Sequence, residues 1–113
     1  MKKVVDFLAE KNCVLKSLES IDLSLVKTRK KLRIYSGVNE KSFYTVIFQI
    51  GQKSRFVKKN AQEIIDLEQK LERAVSHAYK YKYVLIASPL CSLAKKMMKN
   101  NGWSVYEVSH DTL

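Results

Sequence analysis

Five consecutive apolar residues, Tyr83-Val84-Leu85-Ile86-Ala87, stand between two stretches whose apolar positions recur at helical spacing. A strand without a polar side belongs where both faces are covered, so the chain reads as an α/β domain with helices packed on a sheet. Upstream of this run, Ile64, Leu67, Leu71, Ala74, Val75 and Ala78 fall on one helical face, and Asn60 followed three residues on by Glu63 has the form of a capping box. Downstream, Ser88-Pro89 resembles an N-cap followed by proline at the first helical position, with Leu90, Leu93, Ala94, Met97 and Met98 as the apolar face. Asn101-Gly102 ends that helix and Trp103-Ser104-Val105-Tyr106-Glu107-Val108 closes the fold as a strand. Two strands joined by a helix in this way run parallel through a right-handed crossover.

The first half of the chain is patterned differently. Val4, Phe7, Leu8, Val14, Leu15 and Leu18 recur at helical spacing and predict one amphipathic helix over 3–18, with Cys13 beside them as a core thiol. Residues 22–26 fit either a short helix or a connection. Leu32-Arg33-Ile34-Tyr35 and residues 43–50 are rich in strand formers and flank a Gly- and Asn-containing turn, which predicts a hairpin; Gly51-Gln52 then leads to a third expected strand, Ser54-Arg55-Phe56-Val57. On the 43–50 strand, Tyr44, Val46, Phe48 and Ile50 share the better core face, leaving Phe43 as the exposed aromatic. The expected order is α-β-β-β-α-β-α-β in a mixed sheet, forming one domain over residues 1–113 with no internal repeat.

At 113 residues with 46% apolar side chains, three glycines and one proline, the composition is that of a packed domain and excludes disorder as the main reading. A chain of this size hides roughly two thirds of its unfolded surface, enough for one core without staples. No apolar run approaches the ~20 residues that span a bilayer, and the basic start at Lys2 and Lys3 meets Asp6 and Glu10 with no signal-like apolar region. A cytoplasmic location without membrane contact is therefore expected. Cys13 and Cys91 are too few for a disulfide framework or a cysteine zinc cluster, which fits a reducing compartment.

The formal net charge of +10 is concentrated. Residues 1–26 are neutral and 60–113 carry +1, whereas 27–59 hold ten basic residues against a single acid, Glu40. Cations at this density repel one another unless a polyanion relieves them. The expected role is nucleic-acid binding through phosphates, with Arg29, Lys30, Lys31, Arg33, Lys53, Arg55, Lys58 and Lys59 as the surface and little sequence preference. A solubilising surface with no partner and a module for an acidic protein are the competing readings. DNA and RNA, single and double strand, monomer and homodimer stay open.

The succession of an N-terminal helix, three meandering strands, a long helix and an apolar strand resembles the core of the restriction-endonuclease-like, or PD-(D/E)XK, nuclease family, over about residues 3–87 with 88–108 as an extension. The resemblance implies a carboxylate on the second strand and an E-x-K or Q-x-K triplet on the third, holding a divalent metal and positioning the attacking water. Here the second strand has no acid, and Gln49-Ile50-Gly51 and Gln52-Lys53-Ser54 both lack lysine at the third place. The triplet Glu68-Gln69-Lys70 lies on the long helix, where positions two apart diverge. The family resemblance thus implies a metal-dependent nuclease with a displaced or degenerate site as the alternative function. The residues themselves predict no catalytic set, metal or cofactor.

Three further features carry two readings each. Ser88, Cys91 and Ser92 lie between a central strand and a helix, where free N–H groups favour anions and lower a thiol pKa; a buried structural cysteine is the other reading. His77 and His110 match no metal spacing and read as surface or boundary residues. The alternation Tyr79-Lys80-Tyr81-Lys82-Tyr83 suits stacking on a single strand, and equally a helix end entering an amphipathic strand.

Overall fold

The computed structural model of the protein describes residues 2–11, 14–22 and 32–109. Cys13, His110, Arg29, Lys30, Lys31 and most of the 22–26 segment lie outside them. The elements are α1 (Lys2–Glu10), β1 (Leu15–Ser20), β2 (Leu32–Asn39), β3 (Tyr44–Ile50), α2 (Lys58–Val75), β4 (Tyr81–Ile86), α3 (Ser92–Asn100) and β5 (Trp103–Glu107). They follow the expected order. The five strands form one mixed sheet in the order β1-β2-β3-β4-β5, antiparallel from β1 to β3 and parallel from β3 to β5.

Helices cover both faces of this sheet. Ile34, Val46, Phe48, Ile50, Val84 and Ile86 pack beneath α2 and α3 with Ile64, Leu71, Ala94 and Met98, and Phe48 meets Trp103 edge to face at 5.4 Å. Tyr35, Ile47 and Leu85 pack beneath α1 with Val4 and Leu8. β3 is therefore buried on both sides: Thr45, Ile47 and Gln49, on the face that reads as the poorer core side, are as inaccessible as Val46 and Phe48. Tyr44, expected on the core face, is exposed because β3 begins there, and Phe43 is exposed as expected.

Several boundaries differ from the sequence reading. The helix expected over 3–18 stops at Glu10, and Leu15 and Leu18 belong to the edge strand β1. A register shift between Leu15 and Ser17 turns both leucines toward the layer beneath α1, so two residues three apart share a side and imitate helical spacing. The third strand expected at 54–57 is a loop in which Phe56 makes one isolated parallel bridge to Leu90. Asn60 is not the N-cap of α2; the helix starts at Lys58, and Asn60 Oδ1 accepts from the Val57 N–H at 2.9 Å. α2 ends before Ala78, with Ser76 left-handed at its C-cap. Ser88 does not cap α3, because the Pro89 carbonyl accepts from Phe56 N–H at 2.7 Å and the helix starts only after Cys91.

Candidate nucleic-acid interface

Parallel strands with intervening helices bring strand carboxyl ends and helix amino ends to one edge of a sheet, where α/β folds place ligands. At this edge lie the ends of β3 and β4 and the starts of α2 and α3. Because β2 runs opposite to β3, its first residues, Leu32 and Arg33, pair with Ile50 and Gln49 at the same edge. Arg33, Lys53, Arg55, Lys58 and Lys59 are all exposed there. Lys53 to Lys59 gather along the 51–59 segment. Arg33 alternates with Leu32 and Ile34, which enter the layer under α2 and α3, so its side chain leaves from the α1 side of the same edge.

The loop carrying Lys53 and Arg55 is anchored at three points. Gln52 Nε2 donates to the carbonyls of Ser54 and Arg55 at 3.1 and 3.2 Å, Phe56 is buried, and Phe56 exchanges backbone hydrogen bonds with Pro89 and Cys91. A cleft of about 470 Å³ opens beside it, lined by Leu32, Ile50, Gln52, Lys53, Phe56 and Ile64 among others. Neither α2 nor α3 has an acid in its first turn, and α2 begins with Lys58 and Lys59. Cations at a positive helix end are unfavourable by themselves and become favourable opposite an anion.

The bridge between the loops also joins the basic segment to Cys91, the residue that precedes α3. The backbone N–H groups of Ala94 and Leu93 hold the Cys91 thiol below its ordinary pKa, with smaller contributions from Arg55 and Lys58 and an opposing one from burial. The sequence offers only apolar neighbours and Ser92; the cationic neighbours arrive from more than thirty residues away through the Phe56 to Leu90 bridge. Cys91 is half-buried, Ser92 is exposed, and Ser88 Oγ is buried without a hydrogen-bond partner.

The residues do not fit the metal site that the family resemblance implies. β2 and β3 carry no carboxylate, and among the described residues no three His, Cys, Asp or Glu side chains come together as a metal site. Glu68, from the E-x-K triplet, is buried against β4, where Lys82 Nζ lies 3.5 Å from it and 3.7 Å from Glu72. The 79–83 alternation is divided by the same geometry: Tyr79 is buried with its hydroxyl 2.8 Å from Ser36 Oγ, Lys82 serves the two glutamates, and Lys80 is exposed. His77 stacks on Tyr44.

No protein-family model and no curated protein matches the chain. A solved structure described as that of a repair endonuclease from Pyrococcus abyssi superposes with a TM-score of 0.52 at 14% identity, over 83% of this chain and 39% of that one. The likeness is one of fold, in line with the order of elements, and the chain spans well under half of that endonuclease.

Proposed function

We propose that the protein binds nucleic acid through phosphates at the edge formed by the ends of β3 and β4, with little preference for sequence. The observation that supports this reading is the exposure of Lys53, Arg55, Lys58 and Lys59 around the amino ends of two helices that lack acidic first-turn residues, with Arg33 exposed on the other side of the same edge. Backbone N–H groups and side-chain cations there favour the same ligand, and phosphate contacts carry no base information. If about five to eight phosphates are neutralised, log K for duplex DNA falls with log salt at a slope of about −4 to −7. A flat response in a fluorescence-anisotropy titration refutes the reading. Likeness to an endonuclease fold favours a nuclease as the second reading. Plasmid and branched DNA incubated with the protein in Mg²⁺ or Mn²⁺ stay intact under the binding reading, and cleavage decides for the nuclease.

A further inference from the structure

The opposite edge of the sheet, where β3 and β4 begin, presents exposed aromatic rings. Phe43 is 36% and Tyr44 47% exposed. The Tyr44 ring lies parallel to the His77 imidazole at 3.8 Å between centroids and 17° between planes, and His77 in turn meets the buried Tyr79 edge-on at 5.0 Å. Tyr79 is fixed through its hydroxyl to Ser36, so the exposed stack stands on a rigid support. Lys80 places its ammonium 3.6 Å from the Phe43 ring centroid, and its backbone N–H donates to the Tyr44 carbonyl at 3.0 Å. Both non-glycine residues with positive φ among those described, Ser42 at 68° and Ser76 at 61°, directly precede this aromatic set. One sets the entry to Phe43 and Tyr44, the other the turn to His77. Both are turn positions, Ser42 closing the β2–β3 hairpin through its N–H to the Asn39 carbonyl and Ser76 capping α2.

The Tyr44 and His77 pair also borders a cleft of about 330 Å³, whose remaining lining includes Leu18, Glu19, Ser36 and Gly37 of β1 and β2. Glu19 is exposed and supplies an acceptor in the cleft, whereas the Lys80 ammonium, held over Phe43 beside Tyr81, lies on the other side of the sheet at the same edge. A carboxylate inside the cleft disfavours a phosphate there, and the ammonium over the edge accepts one beyond it. The ligand that matches is flat, carries amino hydrogens, and is attached to an anion.

We propose that this edge binds an unpaired nucleobase of single-stranded nucleic acid: the base stacks at Tyr44 and His77 with an amino group toward Glu19, and the strand continues over the edge toward Lys80 and Phe43 on the other side of the sheet. This deepens the nucleic-acid reading and rests on it. Duplex bases, already stacked and paired, offer no free face to such a site. The preformed stack lowers the ordering cost of binding.

The test measures affinity for a short oligodeoxyadenosine and for a duplex of the same length, at one salt concentration, with the wild type, Tyr44→Ala and Tyr44→Trp. Tyr44 is half-exposed, so both variants keep the core, and circular dichroism checks this. Loss of one base stack weakens single-strand binding about tenfold or more in Tyr44→Ala, leaves the duplex unchanged, and is restored in Tyr44→Trp. Unchanged single-strand binding, or an equal loss on both nucleic acids, overturns the proposal. If the wild type binds neither nucleic acid, the phosphate reading fails, and adenosine alone then decides on the base site. Perturbation of the His77 ring resonances in the wild type that is absent in Tyr44→Ala supports it, and no perturbation overturns it.

Discussion

Glu68 and Cys91 show how far single side chains are governed by neighbours remote in sequence. Burial pushes the Glu68 carboxyl up from 4.5 to about 8, helped by its hydrogen bond with Glu72 and opposed by Lys82. The folded state thus holds a proton that the unfolded chain releases near pH 4.5, so this group's contribution is full below that pH and is lost as pH rises through about 8. Glu68→Gln keeps the shape and removes the titration. In urea unfolding, wild type loses stability relative to this variant by on the order of 1–3 kcal/mol between about pH 5 and about pH 9. Cys91 moves the other way, and its lowered pKa leaves more thiolate at neutral pH. In a Cys13→Ser background, alkylation is expected to proceed faster than that of a model thiol at pH 7. Replacing Arg55 and Lys58 by Gln removes only part of that advantage, because the N–H groups of Ala94 and Leu93 contribute more. The N–H groups beside Cys91 were legible in the sequence; the surroundings of Glu68 and the cations near Cys91 were not. Glu68 falls on the long helix with nothing to show that it faces β4, and the cationic neighbours of Cys91 depend on a bridge between two loops.

At the scale of elements, what could be read depended on whether periodicity had a single cause. The face of α2 was legible because Ile64, Leu67 and Leu71 repeat along an uninterrupted helix and are buried. β4 was legible because a run of five apolar residues leaves no exposed side, and Gly102, at φ 86°, ends α3 as its sequence indicates. β1 was hidden, since its bulge gives Leu15 and Leu18 the spacing of a helix. The irregularity is sustained by Gly37 on β2: a Cβ added there runs into the Ser17 backbone carbonyl. Gly37→Ala therefore displaces backbone, not a flexible side-chain tip, and is expected to cost about 1–3 kcal/mol. Hydrogen exchange locates the damage: the amides between β1 and β2 lose protection, while those between β3 and β4 exchange as in the wild type. Uniform loss of protection across the sheet contradicts this account of β1 as a separately seated edge.

For the whole molecule, the expected basic surface is described only in part: Arg29, Lys30 and Lys31 lie outside the described residues, and the strand expected at 54–57 is a loop. Lys53 and Arg55, expected beside or within a strand, lie on an anchored loop, and with Lys58 and Lys59 they are exposed at the edge where β3 and β4 end and α2 and α3 start. An edge crowded with cations carries a cost of its own: like charges repel, and Lys58 and Lys59 stand at the positive end of a helix dipole. Replacing Lys53, Arg55, Lys58 and Lys59 together by Gln consequently moves two measurements in opposite directions. Binding to any DNA sequence weakens alike, and the slope of log K against log salt becomes shallower by up to about 3.6, at about 0.9 for each phosphate no longer neutralised. Stability at low salt rises, by about 0.3–1 kcal/mol for each of the two helix-start lysines, and the gain shrinks as salt screens the repulsion. A variant that loses affinity together with stability would mean that these four side chains support the fold. One that gains stability and keeps its affinity would leave them as a solubilising surface.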